Sequence, residues 1–481
     1  MNVLVILLVA LAGSVFSAFL TGKASKSLAM ISALINVALA IYVFNSLDPT
    51  GGLQFTYRSN WIPSIGAFFH IGVDGIAALL VLMTNILMPV VLLRIDSKRT
   101  NSNIFYALAL LMQAGMLGVF MAQDALLFYL CWELALIPIY IIIFLWGDEN
   151  RVKTVVKFFI YTLFGSVFML GSILYIYSKL PSPNFSIDSF YNNGLSQVEQ
   201  IWVAGGFLLA FVIKIPLIPF HTWQANTYTQ APTSGTMLLS GIMLKMGLFG
   251  LLKWYIPVTP LAVTTLNPIL IGLALAGVLY GGVLAFNQKN LKTLLAYSSL
   301  SHVGLIAAGI LVFNYDGLSG GVLQMFNHGI IVVGLFYVAD LILDRTGTSY
   351  IPELGGIRQN APALAASFLV LTLASVSLPL TNGFVGEFLL LAGIYDYNVW
   401  AAVIGGLTII IGATYMLRMY QKTMLGLDYR FQKVITDLNT EELLVLGCLI
   451  VIILFVGLFP NYILDTIKPS IESLTQITQT Y

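Results

Sequence analysis

Six ionisable residues fall inside long apolar runs of this chain: Glu133 in FYLCWELALIPIYIII, Lys214 in FVIKIPLIPFHTW, Lys245 in SGIMLKMGLFG, His302 in SSLSHVG, His328 in FNHG and Glu387 in LPLTNGFVGEF. A charge at the centre of a bilayer costs at least about 2.5 kcal/mol on insertion scales, so such residues are candidates for a proton or ion pathway. Each is a group that takes up and releases a proton, and no metal site is expected from them. Glu133 and Lys214 read either as a switchable pair, in which the carboxylate offsets the desolvation of the amine, or as a purely structural ion pair. Lys245 has no acid at neighbouring helical positions, so a structural role needs a partner from elsewhere in the fold. His302 and His328 sit at similar depth on consecutive apolar segments. They read as a proton relay, as hydrogen-bonded core groups or, less simply, as ligands of one b-type haem. His221, at the end of its segment, is either a proton-entry residue at a channel mouth or an interfacial anchor. Asp74, Asp340 and Asp396 lie at segment ends, where hydration or helix capping accounts for them.

The elements that must hold these groups are membrane helices. Of 481 residues 58% are apolar and only 9% charged, which excludes a soluble core-and-surface design. The mean hydropathy of +0.91 agrees. A net charge of +1 removes nucleic acid as a partner. Cys131 and Cys448 both lie in apolar stretches, so neither a disulfide framework nor a four-cysteine iron–sulfur site can be built. Any redox centre belongs to a partner or uses histidine. A window of roughly 20 apolar residues gives fourteen spans, near 3–20, 27–46, 71–93, 104–122, 125–146, 158–178, 201–221, 233–252, 266–286, 293–313, 318–341, 363–394, 400–417 and 441–463. Counting along them puts all six groups in the middle part of the membrane. The segment 47–70, with Tyr57, Trp61 and Pro63, reads as interfacial.

Lysine and arginine alternate in density from loop to loop. Sixteen of the 22 lie in loops after odd-numbered spans (Lys23, Lys26, Arg94, Lys98, Arg99, Arg151, Lys153, Lys157, Lys289, Lys292, Arg345, Arg358, Arg418, Lys422, Arg430 and Lys433) and four on the other side (Arg58, Lys179, Lys253 and Lys468). The positive-inside rule makes the first set cytoplasmic and both termini external. The first span, with no basic residue ahead of it and no A-x-A site, reads as a retained helix. Spans seven and twelve are interrupted, by Pro216 and Pro219 beside Lys214 and by Pro379, Asn382 and Gly383 ahead of Glu387. Because these two spans start on opposite sides, they read as matching members of two inverted five-helix units, spans 4–8 and 9–13. Broken helices in corresponding positions point to a transport pathway. The chain thus divides into 1–103 (spans 1–3), 104–256 (first unit), 266–420 (second, inverted unit) and 421–481 (a cytoplasmic loop, span 14 and an external tail) of an all-α polytopic membrane protein.

The runs around Glu133, Lys214 and Glu387, together with APTSGTMLLSGIMLKMG at Lys245, NLKTLLAYSSLSHVG ending at His302 and FNHG at His328, resemble the antiporter-like membrane subunits of respiratory complex I. The resemblance covers nearly the whole chain. Glu387 stands where the L-type homologue and the multi-subunit Na⁺/H⁺ antiporters usually have lysine, and the chain lacks the long lateral helix of the L-type. It therefore looks most like the M-type branch, the counterpart of mitochondrial subunit four.

That resemblance implies a proton-translocating subunit of NADH:quinone oxidoreductase, an enzyme complex of the bacterial inner membrane. It implies Lys214 with Glu133 as the gated site, Lys245 as central relay, His302 and His328 as bridge, and Glu387 as terminal acceptor and exit. Flavin, iron–sulfur clusters and quinone would belong to other subunits, with no cofactor in this chain. The partners would be other membrane subunits, especially the L-type and N-type homologues. The chain departs from the family pattern after span seven, where HTWLPDAHTEAP is replaced by a stretch in which three titratable positions are Asn226, Tyr228 and Gln230. All lie near the cytoplasmic mouth, so the entry route there is the part that differs. A subunit of a Na⁺/H⁺ antiporter or membrane-bound hydrogenase, and a scaffold that only anchors partners, are the alternative readings.

Overall fold

The computed structural model describes residues 2–48, 51–98, 100–426 and 435–479. Of the residues in the charge count, Arg99, Arg430 and Lys433 lie outside them. The larger helices are α1 (Leu4–Phe19), α2 (Gly22–Asn45), α3 (Gly75–Leu93), α4 (Ser102–Met121), α5 (Ala125–Trp146), α6 (Arg151–Lys179) and α7 (Gln197–Lys214). The short α8 (Gln224–Gln230) follows, then α9 (Thr233–Val258) and α10 (Pro260–Phe286). The chain continues through α11 (Leu291–Leu311), α12 (Tyr315–Thr346), α13 (Pro362–Ser375), α14 (Asn382–Tyr397), α15 (Val399–Met424), α16 (Thr440–Leu458) and α17 (Asn461–Gln479).

Helices cover most of each expected apolar run. Among the described residues twelve helices are long and apolar enough to cross a membrane, and two of the expected spans are met by shorter ones. The first is the 16-residue α1. The twelfth is two pieces, α13 and α14, separated where Pro379 cannot continue a helix. Span seven likewise stops at Lys214, ahead of Pro216 and Pro219, and the chain turns before α8.

Two segments differ from expectation. Residues 54–73 form an antiparallel hairpin, β1 (Gln54–Ile62) with β2 (Ala67–Val73), turned at Gly66 in the left-handed region. Pairing of the two strands satisfies the backbone polar groups of this stretch. The tail after span 14, in turn, is helical. In α17 the apolar residues Ile463, Ile467, Ile471 and Leu474 recur at helical spacing and are buried, an amphipathic pattern too polar to register as a span. Ser470 Oγ of this helix accepts a hydrogen bond from Gly75 N at 3.0 Å, at the start of α3.

Short polar side chains start many of the helices. Asp74 caps α3 by accepting from Ala77 N, and Asp124 caps α5 by accepting from Leu126 N and Leu127 N. Ser196 with Glu199, and Asn439 with Glu442, form capping boxes on α7 and α16. Asn290, Asn314 and Asn398 cap α11, α12 and α15.

The chain divides into two compact units. One comprises 1–216, 230–269 and 465–481 and the other 217–229 and 270–464. In the first, α5 packs along α4, and α7 packs along α6 and the middle of α9. A side chain at Gly247 would meet Phe211 O at 3.0 Å, so only glycine lets α9 approach the end of α7 this closely. In the second unit α12 lies at the centre, against α11, α13 and α14, with α14 also touching α15 and α16. Gly386 faces the Gln324 side chain with no room for a Cβ, which brings α14 onto α12.

Candidate functional site

In the first unit, Lys214 is the last residue of α7 and is 1% exposed. Its Nζ makes no hydrogen bond and lies 5.0 Å from the centroid of the Trp132 ring. Glu133, the next residue of α5, is half-buried with Oε1 lacking a hydrogen-bond partner. The two charges act on each other electrostatically without closing to an ion pair. The expected pairing is therefore present as proximity, with the aromatic face, which attracts a cation, occupying the place beside the ammonium. Lys245 is 0% exposed, and its Nζ donates to Ser240 O at 2.7 Å. Ser240 lies in a π-helical stretch, Leu239–Met243, and a second such stretch, Leu251–Tyr255, follows. A π-turn shifts the backbone bonding by one residue and leaves carbonyls open to side chains, a feature frequent at functional sites.

In the second unit, three helices bring the remaining groups together. His302 Nδ1 on α11 and Glu387 Oε1 on α14 are 2.9 Å apart, and both side chains are buried. Gln324 Nε2 on α12 reaches the same carboxylate oxygen at 3.5 Å. His328, one turn further along α12, bonds through Nε2 to Ser299 Oγ at 3.1 Å, and its ring centroid is 6.5 Å from that of His302. His302 Nε2 and Glu387 Oε2 have no hydrogen-bond partner. With a proton on His302 Nδ1 donated to Glu387, the far nitrogen of the imidazole can accept another, and once it has, the Nδ1 proton can pass to the carboxylate. Each histidine spends a ring nitrogen on a side chain, which suits a proton relay and a hydrogen-bonded core group alike. At the break before α14, Asn327 Nδ2 donates to Asn382 O at 2.7 Å, and the Asn382 side chain is buried without a hydrogen-bond partner. Backbone freed by the break is thus tied to the residue beside His328.

His221 rests edge-on against Tyr280, with ring centroids 5.0 Å apart. Of the three replaced positions, Asn226 is exposed. Tyr228 is buried edge-on to Trp223 and Phe336. Gln230 Oε1 accepts from Asn150 N at 3.0 Å. Tyr228 and Gln230 have become packing and loop-tying groups. Asp74 caps its helix and also pairs with Lys253. Trp132, Gln324, Ser299 and Ser240 were not singled out from sequence. Gln324 and His328 stand four apart on one helix, as do the two ends of a shared face, and that spacing was the available signal. Nothing marked Trp132 beyond its adjacency to Glu133.

Residues 122–412 match the model of the NADH:quinone oxidoreductase/Mrp antiporter transmembrane family. The chain belongs to this family. It is 41% identical over 454 residues to the NADH-quinone oxidoreductase subunit M of Rickettsia bellii, covering 93% of this chain and 91% of that one. A chain of respiratory complex I from Thermus thermophilus superposes with a TM-score of 0.92 at 33% identity, covering 98% of this chain and 99% of the other. A chain of the Mrp complex from Dietzia shares the fold alone, with a TM-score of 0.87 at 18% identity. All six intramembrane groups named from sequence fall within the family match, as does His221.

Proposed function

We propose that this chain is the proton-translocating membrane subunit of a multi-subunit NADH:quinone oxidoreductase, an M-type subunit of a bacterial inner-membrane respiratory complex with both termini on the external side. Family membership and the high identity to subunit M relatives support the assignment. The observation that carries the mechanism is the buried bond between His302 and Glu387. A titratable pair is costly in a membrane interior unless it has a use, and this one has a second proton-accepting atom on each side.

In this reading Lys214, biased by Glu133 and held against Trp132, loads or releases its proton as the local charge changes. Lys245 is the central relay of the first five-helix unit, 104–256. His302 and His328 receive the proton in the second, inverted unit, 266–420, and Glu387 releases it through the broken α13–α14 segment to the external face. His221 is the candidate entry residue. Other subunits carry flavin, iron–sulfur clusters and quinone and deliver the energy as an electrostatic or conformational signal, and the L-type and N-type homologues flank this chain. Mass spectrometry of the complex purified through this chain tests the assignment. Flavin and iron–sulfur subunits are expected, and an assembly of small hydrophobic subunits alone would overturn it in favour of an antiporter.

A further inference from the structure

Within the second unit a cavity of about 210 Å³ opens between the end of α10, the start of α11 and the last turns of α15. Lys289, Arg418 and Lys422 line it, and Tyr415 forms part of its wall. Tyr415 is 1% exposed, and its hydroxyl donates to Ser298 Oγ at 2.9 Å. Ser298 in turn lines a separate inner cavity together with His302, His328 and Glu387. Ser298 and His302 are four residues apart on α11, so their side chains share one face of the helix. The inner cavity, about 20 Å³, has room for a single water, which needs two to four polar partners and finds them there. His302 Nε2 has no hydrogen-bond partner among the described residues.

We propose that Tyr415 and Ser298 form a proton inlet that feeds the His302–Glu387 site from the Lys289, Arg418 and Lys422 side, which the charge alternation makes cytoplasmic, independently of Lys214 and Lys245. This rests on the proton-translocation reading above.

The transfer balances without a charged intermediate on the hydroxyls. A proton arriving from the outer cavity binds the Tyr415 oxygen as the phenolic proton passes to Ser298 Oγ. The serine proton passes to the bridging water, and a water proton passes to His302 Nε2. One proton enters, one is bound, and rotation of the two hydroxyls resets the chain. A proton crosses by exchange along the hydroxyls of Tyr415 and Ser298, whereas Na⁺ or K⁺ would have to move bodily past the buried Tyr415 ring.

The test is NADH-driven proton uptake by the intact complex in vesicles, normalised to electron transfer to an artificial acceptor so that loss of assembly is not read as loss of transport. Tyr415→Phe removes one oxygen and keeps the ring, and is expected to lower normalised pumping severalfold. Ser298→Ala is expected to lower it similarly, the double variant no further, and Ser298→Thr, which restores a hydroxyl, is expected to recover most of it. If Tyr415→Phe and Ser298→Ala both pump as the parent does, or if Ser298→Thr is as impaired as Ser298→Ala, the inlet does not exist. Glu387→Gln run alongside separates the two ideas. Impaired Glu387→Gln with normal Tyr415→Phe and Ser298→Ala overturns the inlet alone, whereas normal Glu387→Gln overturns the reading on which it rests.

Discussion

Lys214 Nζ sits over the ring of Trp132, 5.0 Å from its centroid, and not on the carboxylate of Glu133, the next residue of the same helix. Two neighbours thus compete for one buried ammonium. A cation–π contact is worth about 0.5–2 kcal/mol, and an ion pair in a low-dielectric interior more, so a modest change in local charge suffices to move the lysine between them.

That competition predicts the ranking of variants in α5. Glu133→Gln removes a charge that favours protonated Lys214 and should cut NADH-driven proton uptake steeply with assembly intact, with Glu133→Asp milder. Trp132→Phe keeps an aromatic face and should cost little, whereas Trp132→Leu should impair pumping several-fold. Equal pumping by Trp132→Leu and Trp132→Phe would show that the ring only fills space.

Asp124 predicts a pH dependence of stability. Burial, opposed by backbone hydrogen bonds from Phe68, Leu127 and Leu126, raises its carboxyl to about 6. An unfolded aspartate titrates near 3.9, so between about pH 4 and 6 the folded state binds more protons and stability falls as pH rises, levelling off above the folded value. Thermal unfolding in detergent should show this slope. Asp124→Asn should flatten it and cost about 1 kcal/mol, because an amide in place of Oδ2 cannot accept from Phe68 N. An unchanged slope in the variant would assign the titration to another group.

The charge alternation predicts the sidedness of the two ends of the last membrane helix. Single cysteines at exposed Thr436, before α16, and at exposed Gln476, on α17, in a chain with Cys448→Ser, should differ in intact cells. An impermeant thiol reagent should label only position 476. Labelling at 436 would invert or dismantle the proposed topology.

The helices and their interruptions were legible because long apolar runs and prolines act locally. Lys214 before Pro216, and Glu387 after Pro379, follow from those rules alone. The hairpin 54–73 was not, since QFTYRSNWI is neither apolar enough for a span nor cleanly alternating. The amphipathic α17 fell below a hydropathy threshold for the same reason. At the site, the six ionisable residues were legible because such groups stand out against a hydrophobic background. Their partners were not. Trp132, Ser298 and Tyr415 are ordinary residues for a buried helix, and Tyr415 meets Ser298 only because the fold brings α15 beside α11. Complementary charge suggested that Glu133 and Lys214 would bond, while the contact that formed across helices was His302 with Glu387.

On the proposed path Glu387 carries a proton. Its charged form is costly in the bilayer interior and is supported by His302 and Gln324, beside a break that can be hydrated. The decisive measurement is proton uptake by vesicles energised with NADH, normalised to electron transfer to an artificial acceptor, for Glu387→Gln. Glutamine keeps the volume and a hydrogen bond to His302 but cannot titrate. Normalised uptake should be abolished or strongly reduced, with Glu387→Lys, which titrates, retaining a fraction. Parental uptake by Glu387→Gln would mean that the proton leaves elsewhere and that the buried groups do not form one path.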